Sequence, residues 1–258
     1  VLLDTLIIEH PQEPKLNLMY GELLMLQQRK EEAQFQFRIF AESNPSNPIG
    51  WEQLLRSIPN DSINQSIEVC KTAISYLPDY IMFYFYLGIG EYQNKEYEKA
   101  LDTLKEGVSR STEKDSPRLL SEFYGMMGNI YYETKNSDST FVAFDKALKY
   151  VPDNIGVLNN YSYYLSLEKK DLDKAEKMSR VTITAEPTNP TYLDTYGWIL
   201  FEQGDYVSSK IYLESAVKYS KEIEKEVSAE VLEHYGDVLF KSGDEEKALE
   251  YWIKAKET

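Results

Sequence analysis

From Pro187 to Ser220, apolar residues recur at three- and four-residue steps on both sides of the polar turn Gln203-Gly204-Asp205. That period predicts two amphipathic helices folded into a hairpin, with Pro187 closing the helix before them. Such a hairpin cannot bury its apolar stripe alone. The pattern therefore requires similar units on both sides.

The rest of the chain supplies them. Pro11, Pro45, Pro78, Pro152 and Pro187 are spaced by 34, 33, 74 and 35 residues, so the 74 holds two units and an insertion. Small residues in the first helix of each unit form a second series: Gly21, Gly88, Gly128, Ser162, Gly197 and Gly236. Ala33, Ala100, Ala175 and Ala248 follow four of these by twelve or thirteen residues. A small residue lets two antiparallel helices approach, with the alanine expected opposite that contact, and proline stops the second helix because it has no amide donor.

On these positions the chain resembles the tetratricopeptide repeat family, bacterial type. Leu87-Gly88, Met127-Gly128, Tyr196-Gly197 and Tyr235-Gly236 match the family's paired large and small residues. Ala147, Ala216 and Ala255 match its second small residue. The resemblance implies an all-α fold, a right-handed superhelical solenoid of helix-turn-helix repeats. We expect a partial repeat at 1–13 (second helix only), full repeats at 14–47, 48–80, 81–120, 121–154, 155–189 and 190–228, and a C-terminal capping repeat at 229–258. The repeat at 48–80 is degenerate: Pro59-Asn60-Asp61 interrupts its first helix, and Ser66 and Cys70 replace the usual residues. An insertion falls at 111–117, and the second helix of 190–228 is expected to run about a turn longer, through Lys221 to Glu226. A processed or engineered boundary is expected before Val1, with Leu2, Leu3 and Leu6 exposed by missing upstream repeats. The charge-rich last helix places Thr258 close to the natural end.

Charge changes the picture only in what it excludes. With 43 acidic against 28 basic residues and no Lys/Arg cluster, the net charge of −15 argues against nucleic acid as a partner. No apolar run is long enough to insert in a membrane. One cysteine permits no internal disulfide. His10 and His234 lie far apart in a linear array and read as surface or helix-end histidines. Cys70 reads as a buried, inert thiol. No glycine-rich phosphate loop appears. Neither catalysis nor a cofactor or metal is expected.

In the resemblance, ligands lie against the first helices. The corresponding positions here are Phe85, Ile89 and Tyr92, then Asn129 and Tyr132, Asn159 and Tyr163, and Asp194, Trp198, Phe201 and Glu202. Aromatic rings offer contact area at low entropy cost, and Asn amides can hydrogen-bond an extended backbone. The family's cationic clamp is absent. Glu230, Glu233 and Asp237 would favour a basic or neutral ligand at the last repeat. The expected activity is a non-enzymatic adaptor binding a peptide or protein segment. The alternative is a scaffold for self-assembly or an envelope complex, acting through the outer face or N-terminal edge. Similarity to envelope-associated members suggests a periplasm-facing lipoprotein, with the cytoplasm as the alternative.

Overall fold

A computed structural model describes residues 2–10, 13–223 and 226–258. Among them the chain forms helices and no strand. In order these are α1 (Leu2–Glu9), α2 (Lys15–Leu26), α3 (Lys30–Ser43), α4 (Pro48–Ser57), α5 (Ile63–Tyr76), α6 (Met82–Gln93), α7 (Tyr97–Arg110) and α8 (Pro117–Glu133). They continue as α9 (Ser137–Tyr150), α10 (Ile155–Leu167), α11 (Leu172–Ala185), α12 (Pro190–Glu202), α13 (Tyr206–Glu222), α14 (Ala229–Lys241) and α15 (Glu245–Glu257). The chain divides into two compact units, Val1–Ile130 and Tyr131–Thr258. Pro11, expected to stop the first helix, and Glu224, within the expected extension, lie outside the described residues, as do the side chains of Leu2 and Leu3. The insertion at 111–116 is a loop, and Pro117 opens α8.

Starts and stops follow from local chemistry. Asn47 and Asn189 each cap a helix that begins with proline, accepting the amides of Ile49 and Thr191 at 3.1 and 3.0 Å. Asparagine satisfies an orphan donor there, and proline at the first position has no amide to waste. The turns inside most hairpins are alike. A residue with positive φ (Gln28, Lys95, Lys135, Lys169, Gly204 or Gly243) follows the first helix. The next amide then reaches back five residues, as in Arg29 N to Leu24 O, Glu96 N to Glu91 O and Asp205 N to Leu200 O, each 2.9 Å. This left-handed cap satisfies the last carbonyls and starts the second helix at once.

The α4–α5 hairpin departs from that rule. Extended backbone at Ile58 leads into Pro59, and α5 begins only at Ile63. The short first helix expected at this repeat is present: α4 spans 10 residues.

Inside four hairpins the close contact is regular. A Cβ built on Gly21, Gly88, Gly197 or Gly236 would stand 2.4–2.7 Å from Phe37, Leu104, Leu213 or Trp252. Each partner lies sixteen residues on. The residue opposite the glycine is thus a large one, not the alanine expected from the sequence. Ala33, Ala100 and Ala248 are buried one turn earlier in the second helix. Between repeats, Trp51 Nε1 donates to Pro45 O at 2.9 Å and Tyr84 Oη to Pro78 O at 3.1 Å. Both lie six residues after the proline and tie the inter-repeat turn to the next helix.

Candidate functional site

In the first unit, Phe85, Ile89 and Tyr92 stand half-buried along α6, and Asn129 half-buried on α8. Phe85 tilts against Phe123 with centroids 5.3 Å apart, and Tyr92 against Tyr97 at 5.7 Å. Ile89 lines a pocket of about 480 Å³ between α4 and α6, walled also by Leu55, Ile58 and Ile63.

In the second unit, side chains from α10, α12 and α14 converge. Asp194 on α12 and His234 on α14 are both buried, and Nδ1 of His234 lies 3.1 Å from each Asp194 carboxylate oxygen. The His234 ring stacks on Trp198 at 4.1 Å, and Phe201 stacks on Trp198 at 4.8 Å. Tyr163 on α10 packs near His234 at 6.4 Å and donates its hydroxyl to the Glu230 carboxylate on α14. Burial, then the Glu230 contact, pushes the Tyr163 phenol far above its ordinary range. Burial opposes a charged His234, but the hydrogen bond and charge of Asp194, with Glu230 and Asp237, outweigh it and hold the imidazole above the usual histidine range.

Tyr132 stacks on Tyr164 at 3.9 Å and 15°, beside a pocket of about 310 Å³ lined by Lys135, Ser137 and Glu168. Asn159 is only 5% exposed. Its Nδ2 contacts Asn160 Oδ1 at 3.4 Å, while its Oδ1 has no partner among the described residues. Trp198 Nε1 is likewise buried without a partner, unlike Trp51 Nε1 and Trp252 Nε1, which donate to Pro45 O and Asp237 Oδ1. Glu202 pairs with Lys169 at 2.8 Å.

The structure therefore brings Tyr163, Asp194, Trp198 and Phe201 into one cluster. It adds two residues that sequence reasoning placed elsewhere or undervalued. His234, expected at the surface or a helix end, is buried and paired. The register carried that signal: His234 precedes Gly236 by two residues as Thr195 precedes Gly197, and Thr195 is also buried. Glu230 was expected to face a ligand, yet it accepts from Tyr163. Phe85, Tyr132, Tyr163 and Trp198, counted apart from the core in the sequence, pack on neighbouring first helices, so part of their surface is spent on holding repeats together. Among the described residues, no group of three His, Cys, Asp or Glu side chains could hold a metal ion, and no helix is long and apolar enough to cross a membrane.

No protein-family model matches the chain. By sequence it is similar to a TPR repeat-containing protein of Pseudomonas aeruginosa, 25% identical over 187 residues, 69% of this chain and 30% of that one. It is also similar to protein O-mannosyl-transferase TMTC1 of Homo sapiens, 27% identical over 121 residues, 43% of this chain and 14% of that one. The chain thus spans 30% and 14% of the length of these curated relatives. Among solved structures, a tetratricopeptide repeat protein from Parabacteroides merdae aligns with a TM-score of 0.69 at 15% identity, covering 95% of this chain and 93% of that one. PilF of Pseudomonas aeruginosa aligns at 0.68 and 15% identity, covering 90% and 99%. YrrB, described as a TPR protein with an unusual peptide-binding site, aligns at 0.52 and 12% identity, covering 72% and 92%. The fold is therefore all-α and is that of the tetratricopeptide repeat solenoid.

Proposed function

We propose that the chain is a non-enzymatic adaptor that holds a segment of a partner protein against its first helices. The observation that carries this reading is the pair of orphaned polar atoms on α10 and α12, Asn159 Oδ1 and Trp198 Nε1. One is an acceptor and the other a donor. Leaving such a group buried and unpaired costs about 1–3 kcal/mol, and an extended peptide backbone offers both complements, an N–H and a C=O, once the Asn159 and Trp198 side chains turn out to meet it. A structural neighbour described as having a peptide-binding site supports the same use of the fold. The test is capture from source-cell lysate by the wild type and by a Tyr132→Ala, Trp198→Ala double variant of equal helicity. A protein retained by the first and lost by the second supports the groove, and identical captures reject it.

A second reading, a self-assembling scaffold, has one observation in its favour. Leu26 and Phe35 expose 82% and 62% of their surface near the N-terminal end of the first unit. Light-scattering mass separates the two, since a monomer at high concentration removes self-assembly.

A further inference from the structure

Five of the six arginines are ion-paired: Arg29 with Glu32, Arg38 with Glu42, Arg110 with Glu106, Arg118 with Glu122 and Arg180 with Glu176. Arg56 is the exception. It is exposed and makes no ion pair or hydrogen bond among the described residues. The acid one turn before it, Glu52, stands in the favourable i, i+4 arrangement for pairing. That carboxylate is instead engaged by the Tyr80 hydroxyl at 2.6 Å. Arg56 is thereby left available in a chain whose acids outnumber its bases by 43 to 28.

Its location gives this availability a use. Arg56 stands on the rim of the pocket of about 480 Å³ walled by Leu55, Ile58, Ile63 and Ile89. The pocket sits at the α4–α5 hairpin, the one that departs from the left-handed turn found elsewhere. Where α4 ends early and the extended backbone at Ile58 leads into Pro59, the first-helix face opens between α4 and α6. Its volume falls in the range of specific binding pockets, about 300–1,000 Å³, and its walls combine the apolar side chains with Asn60, Ser66, Gln93 and the Glu52 carboxylate that Tyr80 engages.

We infer that this pocket seats an apolar side chain of a partner segment whose adjacent residue carries a side-chain carboxylate, held by Arg56. This rests on the reading of the first-helix face as a binding surface and names the chemistry it selects in the first unit. The cavity takes the apolar group, and the guanidinium, with its planar fork of donors, takes the acid. A basic neighbour is repelled by Arg56.

The test is a 15N NMR titration of the intact chain, following the backbone amides of Asn60 and Gly90 at the pocket and Gly243 as a distant control. The probes are N-acetylated, C-amidated peptides without a terminal carboxylate: Gly-Leu-Glu-Gly, Gly-Leu-Gln-Gly, Gly-Leu-Lys-Gly and Gly-Gly-Glu-Gly. Asn60 and Gly90 should shift with the Leu-Glu peptide about threefold more tightly than with Leu-Gln, the scale of one exposed ion pair, and more weakly still with the other two. Arg56→Gln should reduce Leu-Glu binding to the Leu-Gln level and leave Leu-Gln unchanged. Equal binding of Leu-Glu, Leu-Gln and Leu-Lys overturns the role of Arg56 while the binding face stands. No shift at Asn60 or Gly90 with any peptide overturns the pocket, and leaves the Asn159 and Trp198 surface to its own capture test.

Discussion

Asp194 and His234 are 40 residues apart in sequence, on the first helices of successive repeats, and meet at 3.1 Å inside the protein. The pair joins one repeat to the next, so its protonation belongs to the stability of the array. Both groups have their pKa raised on folding: burial raises Asp194, and Asp194 with Glu230 and Asp237 raises His234 against its own burial. A raised folded-state pKa means that the native state binds more protons than the unfolded chain. The contribution of His234 is fully present below its unfolded value of about 6.5 and is lost as pH rises through its folded value. Unfolding free energy should therefore fall as pH climbs above about 6.5. Asp194→Asn should flatten that slope and lower stability by about 3 kcal/mol, as expected when one partner of a buried pair is removed. Urea unfolding across a pH series checks this, and an unchanged slope in the variant excludes the pair as its source.

Two glycines with opposite surroundings should respond oppositely to alanine. A Cβ on Gly50 would meet the Ala41 backbone Cα at 2.8 Å, so α3 and α4 would have to separate. Gly50→Ala should destabilise by about 1–3 kcal/mol despite better helix propensity. Gly156 sits in the exposed first turn of α10, with its nearest neighbour at 3.8 Å. Gly156→Ala should stabilise by about 0.5–1 kcal/mol. Thermal midpoints of the two variants moving in the same direction would contradict the packing argument.

Much of the fold was legible because its markers are local. Asn-Pro starts, proline stops and small residues every repeat act within one hairpin, so their spacing alone reveals the stacking. The interruption at Pro59-Asn60-Asp61 likewise announced a short α4. What spacing could not reveal depends on neighbours one repeat away. Trp198 has the pattern of an open groove residue, but the ring covering it belongs to His234, whose position along α14 must be known first. The availability of Arg56 was hidden for the same reason. Glu52 is its obvious partner in sequence, and only the fold shows Tyr80 taking that carboxylate. The partner of Gly21, Gly88, Gly197 and Gly236, a large residue rather than alanine, follows from how the two helices cross, which no single helix pattern contains.

The hairpin turns offer a direct check of backbone strain. Lys95 adopts φ of 61°, in the left-handed region that costs an L-residue about 1 kcal/mol relative to glycine. Lys95→Gly should raise stability by up to about 1 kcal/mol, reduced by the greater freedom of glycine in the unfolded chain. Gly204 adopts φ of 86° with nothing within 4 Å of an added Cβ, so Gly204→Ala tests strain without a clash. It should lower stability by about 1 kcal/mol. Denaturation midpoints that do not move at Gly204 would show that the turn relaxes.

Cys70 supplies a reporter for opening of the first unit. It is fully buried against Ile67 and Leu87, and burial, followed by the charge of Glu91, pushes its thiol up to about 12. The thiolate is the reactive form, so both access and ionisation suppress reaction in the native protein. At pH 8 an aromatic disulfide reagent should label Cys70 only as fast as the surrounding hairpins open, with a rate that rises with urea. Arg56→Gln, an exposed change, should leave that rate unaltered. Gly50→Ala, which forces α3 from α4 in the adjoining cluster that includes Val69 and Ala73 of α5, should raise it by tenfold or more if the loss exceeds about 1.4 kcal/mol. Immediate labelling of the native wild type would mean that Cys70 is reached without opening, and would overturn its assignment as an inert core thiol.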